Sequence, residues 1–69
     1  MQANYLAADG YRYGVRFQDG SVSSNWNGRT QRERAEEALA WWCEKYPRDA
    51  PHLVLVRWRP GGSWEPVPR

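Results

Sequence analysis

Apolar and polar residues alternate without a break from Tyr11 to Gln18: Tyr11, Tyr13, Val15 and Phe17 share one face, and Arg12, Gly14, Arg16 and Gln18 the other. A period of two marks a half-buried strand. Asp19-Gly20 follows at once, and Asp-Gly is a preferred pair for a two-residue type I′ turn. Such a turn sets Gln18 against Ser21, so that Phe17 falls opposite Val22, Val15 opposite Ser24 and Tyr13 opposite Trp26. All apolar residues of the second strand then join the apolar face of the first, and a one-residue slip would undo the match. Asn27-Gly28 closes this hairpin, expected over residues 11–26.

The period then changes. Ala35, Ala38, Leu39, Trp42, Cys43 and Tyr46 recur at spacings of three and four, which predicts an amphipathic helix over 31–46. Thr30-Gln31-Arg32-Glu33 has the form of a capping box, with Thr30 as N-cap and Glu33 reaching back to its amide. Pro47 stops the helix. A second hairpin is expected over 52–67: the unbroken apolar run Leu53-Val54-Leu55-Val56 reads as a central strand, and Pro60-Gly61-Gly62 as a turn. Pro66 and Pro68 require the last strand to lie at an edge. Residues 1–8 read as an extended arm.

These elements give one α+β domain over residues 1–69. Its expected form is a two-layer ββαββ fold: a four-stranded antiparallel sheet in the order 2-1-3-4, with one helix on one face. With Tyr13, Val15 and Phe17 under the helix, the third strand turns inward either Val54, Val56 and Trp58 or Leu53, Leu55 and Arg57. The first set is expected, because an unpaired inward arginine is costly. Arg12, Arg16, Arg57 and Arg59 would then share the open face with Leu53 and Leu55. Gly14 between the first two arginines would let a partner's backbone or a flat base come close.

Composition narrows the chemistry. A 69-residue chain buries only about 60% of the surface its unfolded form exposes, so something must supplement the core. Cys43 is the one cysteine and His52 the one histidine, which excludes an internal disulfide and a conventional Cys/His zinc site. Five Trp, four Tyr and one Phe supply the bulk instead, each ring burying roughly 150–250 Å². Cys43 on the apolar stripe and His52 beside Pro51 have no spacing that links them as nucleophile and base. Glu33, Glu36, Glu37 and Glu44 read as cap and solvated helix face. No glycine-rich loop precedes a helix N-terminus. No catalytic residue, cofactor or metal is expected.

The net charge of +2 is too small to demand a nucleic-acid partner. No apolar run is long enough for a membrane span, and the N-terminus lacks a signal-peptide layout, so a cytoplasmic location is expected. Trp41 falls off the apolar stripe, either packed against the N-terminal arm or serving as an interface anchor.

The strand Tyr11-Arg-Tyr-Gly-Val-Arg-Phe17 with Asp19-Gly20, Trp26 and the helix Arg34-Ala-Glu-Glu-Ala-Leu-Ala-Trp-Trp42 resembles small uncharacterised proteins of actinobacterial phages and prophages. The resemblance covers most of the chain and carries no catalytic motif. It implies an accessory protein in the host cytoplasm that binds a host or phage protein stoichiometrically, an inhibitor being one form of this. The partner-binding residues expected are Arg12, Gly14, Arg16, Leu53, Leu55, Arg57, Arg59 and Trp41. The alternatives are a nucleic-acid-binding module that uses the four arginines and a homodimer of mainly structural role.

Overall fold

The structure, a computed structural model, describes residues 5–68. Its element order is β1 (Arg12–Arg16), β2 (Val22–Ser23), α1 (Gln31–Lys45), a short 3-10 turn (Ala50–His52), β3 (Val54–Trp58) and β4 (Glu65–Pro66). The four strands form one antiparallel sheet in the order β2-β1-β3-β4, which is the expected topology. Pro66 sits in the edge strand, where its missing N–H breaks no inner ladder.

The first turn differs from its expected form. Phe17 donates its N–H to the Ser21 carbonyl at 2.8 Å, and Gly20 donates to the Phe17 carbonyl at 2.9 Å. No described residue other than glycine has positive φ, whereas Gly20 has φ 89°. A type I′ turn at Asp19-Gly20 needs positive φ at both residues, so the loop has three residues instead, 18–20, with glycine in the left-handed position. Asp19 steadies it by accepting from the Ser21 amide at 2.9 Å and hydroxyl at 2.6 Å. Those bonds hold its carboxyl below the usual range.

The extra loop residue shifts the ladder by one. Val15 pairs with Ser23 and Arg16 with Val22, so Val22 moves to the face away from α1. β2 is then short, and beyond it the chain leaves the sheet.

β3 is also turned over relative to expectation. Tyr13 pairs with Arg57 and Val15 with Leu55, while Gly14 pairs with Val56. Directly opposed residues share a face, so Leu55 and Arg57 lie on the helix side, and Val54, Val56 and Trp58 on the other. An inward arginine is tolerated here because Arg57 is paired with Glu65.

On the helix side, Tyr13, Ala35 and Ala7 form a buried cluster against which Tyr11, Trp26, Leu55 and Val67 pack. Phe17 meets Trp42 edge-on at 5.1 Å between ring centroids. Gln31 is fully buried at the start of α1. Its Oε1 accepts from the Tyr13 amide at 3.0 Å, a donor stranded where β2 has peeled away. Its Nε2 donates to the carbonyls of Tyr5 at 2.7 Å and Gly28 at 3.4 Å.

Gln31 therefore ties α1 to β1, and the expected capping box is not formed. Thr30 occupies the N-cap position without a side-chain bond. Residues 1–4 of the expected arm lie outside the described residues. From Ala7 onward the segment is not extended: it turns, with Gly10 donating to Ala7 and Ala7 to Tyr11.

Candidate functional site

The register disperses the four arginines. Arg12 and Arg16 lie on the face away from α1, Arg57 lies on the helix side, and Arg59 follows the end of β3, exposed. Arg12 donates Nε to the Ser24 hydroxyl at 3.2 Å and Nη2 to the Ser24 carbonyl. Its Nη1 reaches the Tyr5 carbonyl at 3.0 Å and Asn27 Oδ1 at 3.4 Å. It thus pins the departing second strand and the N-terminal segment. Arg16 donates to the Trp64 carbonyl at 3.2 Å. Arg57 bonds Glu65 at 2.9 Å and lies over the Tyr11 ring at 4.2 Å. The Glu65 bond, with Tyr11 beside it, holds its guanidinium above the ordinary range.

Gly14 is closed rather than open. A Cβ built on it would stand 2.8 Å from the Ser23 carbonyl and 2.8 Å from Val22 Cγ1. The missing side chain makes room for β2, and no partner's backbone can approach there. Beside it, Val56 is fully buried although no helix covers this face. The register explains why. Arg16 stands level with Val54, and Trp64 lies near the end of β3 that carries Trp58, so their hydrogen bond crosses β3 above the Gly14–Val56 row. Trp58 packs against Trp64 at 6.5 Å and Tyr5 at 6.4 Å. Long side chains cover the middle of this face by themselves, while Val54 at the other end of β3 stays exposed.

The open surface lies on the other side. A helix about 10 Å across cannot roof four strands at ~4.8 Å spacing, a face roughly 19 Å wide. α1 packs on β1 and less on β3, and it does not reach β4. Between α1 and the β3–β4 half runs a groove of about 500 Å³. Leu39, Leu53, Leu55 and Val67 line it, with Ala50 and Pro51 at one end, and those four large side chains are only half-buried. Arg32 stands at its rim, bonded to Glu36 at 3.1 Å. Leu53 and Leu55 were thus legible as candidate contacts, but for the wrong face. Leu39 and Val67 were missed, and the signal that could have found them was the mismatch between one helix and four strands.

Trp41 is 53% exposed. Its ring meets those of Trp42 and Tyr46, on and just beyond the same helix. Lys45 Nζ lies over its ring at 4.9 Å. Cys43 is half-buried and His52 exposed. No group of His, Cys, Asp and Glu among the described residues could hold a metal ion, and no helix there is long and apolar enough to cross a membrane. No protein-family model matches this chain, and neither does any curated protein or solved structure compared with it.

Proposed function

We propose that this protein is a binding domain, not an enzyme, and that its docking surface is the groove between α1 and β3–β4, which takes an amphipathic helix of a partner protein. The observation that carries the reading is the uncovered half of the helix side, where Leu39, Leu53, Leu55 and Val67 are only half-buried along about 500 Å³ of open space. The remaining width matches one further helix packed beside α1 at the usual 8–10 Å separation. Apolar anchors at helical spacing, set into such a groove, are a recurring mode of recognition. Strand addition is less suited to this side, because Pro66 lies in the β4 edge.

The dispersal of the arginines argues against the nucleic-acid reading, since three of the four already hold internal partners. The resemblance to small phage proteins supports a stoichiometric accessory role in a host cytoplasm, acting on a host or phage protein.

The test compares affinity capture by the wild-type chain with capture by Leu39→Glu/Val67→Glu, with and without nuclease. A nuclease-resistant protein is expected on the wild type and lost on the groove variant. Arg59→Glu should retain it. Equal capture by the groove variant would overturn the reading, as would nuclease-sensitive capture. Light scattering that shows a dimer dissolved by the same substitutions would assign the groove to self-association instead.

A further inference from the structure

A second, smaller pocket closes the C-terminal end of α1. Phe17, Trp42, Tyr46, Asp49 and Leu53 line it around about 170 Å³, well below the several hundred Å³ typical of small-molecule sites. It has room for the end of one side chain. Leu53 lines this pocket and the groove alike, so a segment lying in the groove can reach it.

The pocket's chemistry favours positive charge for three independent reasons. Three aromatic residues line it, and the π face of such a ring attracts ammonium and guanidinium groups. Asp49 stands at the wall, and among the described residues its carboxylate, like those of Glu33, Glu37 and Glu44, makes neither a hydrogen bond nor an ion pair; of these four it alone lines the pocket. α1 also ends here. The Trp42 and Tyr46 carbonyls are capped by the amides of Tyr46, Asp49 and Ala50, but Pro47 has no N–H to return to the Cys43 carbonyl, which adds to the negative end of the helix.

The neighbouring cations do not fill the pocket. Lys45 rests on Trp41, and Arg48 is exposed and does not line the space. Lys45 also shows that this aromatic cluster already accommodates one ammonium group on a ring face.

We infer that the pocket formed by Phe17, Trp42, Tyr46 and Asp49 receives a cationic side chain of the partner, a lysine ammonium or an arginine guanidinium. The inference rests on the groove reading for the identity of the partner, but the pocket's preference for cations is tested without one. Butylammonium and butylguanidinium stand for the two side chains, with 1-butanol as the neutral control. Each is titrated into the full chain while the Trp42 indole and Tyr46 ring signals are followed by NMR.

Saturating shifts are expected with one or both cations and not with butanol, and the preferred cation names the side chain. Asp49→Asn should weaken that binding about threefold to fivefold, the range of an exposed charge pair. Tyr46→Ala, at a position already 47% exposed, should weaken it without unfolding the chain. Equal shifts with butanol, or cation binding unchanged in both variants, would overturn the inference. Leu39→Glu/Val67→Glu leaves all five pocket residues in place. Cation binding without groove-dependent protein capture would therefore sink only the groove reading, and capture without cation binding only this one.

Discussion

Leu55 and Val56 are neighbours on β3 and point to opposite faces of the sheet. Leu55 faces the helix and stays half-buried, whereas Val56 faces away from any helix and is fully buried. Coverage in this protein does not follow the helix. On the far side, Gly14 has no side chain to hold neighbours apart, Val22 folds over it, and Arg16 crosses the row to reach Trp64. On the near side, one helix too narrow for four strands leaves the β3–β4 half as an open trough. A charged face can thus be shut and an apolar face open, because closure depends on side-chain reach as well as on layers.

A pair of truncations separates the two faces. Val56→Ala should cost about 2–3 kcal/mol, because a fully buried group leaves a cavity under Arg16 and Gly14. Leu55→Ala removes more atoms but should cost less, about 1–2 kcal/mol, since that residue is only half-buried to begin with. Urea denaturation of both variants measures the order. A larger loss at Leu55 would mean that the trough is filled and the far face loosely packed, and the docking surface would go with it.

Much of the fold was legible because its signals are local. The alternation of residues 11–18, the three-and-four spacing of the helix, Pro47 as its stop and the proline-marked edge strand each follow from neighbouring residues, and together they lead to the β2-β1-β3-β4 order. The sidedness was less legible. Asp19-Gly20 is compatible with a two-residue or a three-residue loop, and that single residue decides which face Val22 joins. For β3 the choice turned on whether an inward arginine would be unpaired, and its partners, Tyr11 and Glu65, come from either side in sequence. The groove was invisible for a related reason: it is a difference between two widths and belongs to no motif. Gln31 looked like an ordinary first-turn residue because its partners are backbone groups of Tyr5, Tyr13 and Gly28.

A smaller effect tests the near side where it is closed. The Tyr13 hydroxyl donates to Asp9 Oδ2 at 2.5 Å, and the Arg32 guanidinium lies over the ring at 5.3 Å. Burial, and then the bond to Asp9, raise the phenol above its ordinary value of 10.0, while Arg32 and Arg57 pull it back. A raised folded value means that the native state holds this proton more tightly than the unfolded chain does. The stabilisation is complete below pH 10 and fades as pH climbs through the folded value. Tyr13→Phe should cost about 1–2 kcal/mol near neutrality, for the lost charge-assisted bond. Its stability should also fall less steeply than the wild type's above pH 10. The difference between the two alkaline profiles isolates Tyr13 from the other tyrosines and Lys45. Parallel profiles would mean that the phenol is not held by Asp9.

The smallest expected effect concerns why the helix lies over β1 at all. An N-cap threonine normally contributes about 1 kcal/mol, through its hydroxyl bonding an amide in the first turn. Thr30 has φ −98° and ψ 12°, away from the extended geometry that aims the hydroxyl at those amides, and it makes no such bond. The Gln31 amide instead bonds the Gly28 carbonyl at 3.4 Å, while the Gln31 side chain fastens the helix start to the stranded amide of Tyr13. Thr30→Ala should therefore change the unfolding free energy by only about 0.3 kcal/mol, well short of a working cap. A loss near the full cap value would show that the start of α1 is held by Thr30 and Glu33. The Gln31 tie to β1 would then act beside a working cap and not in its place.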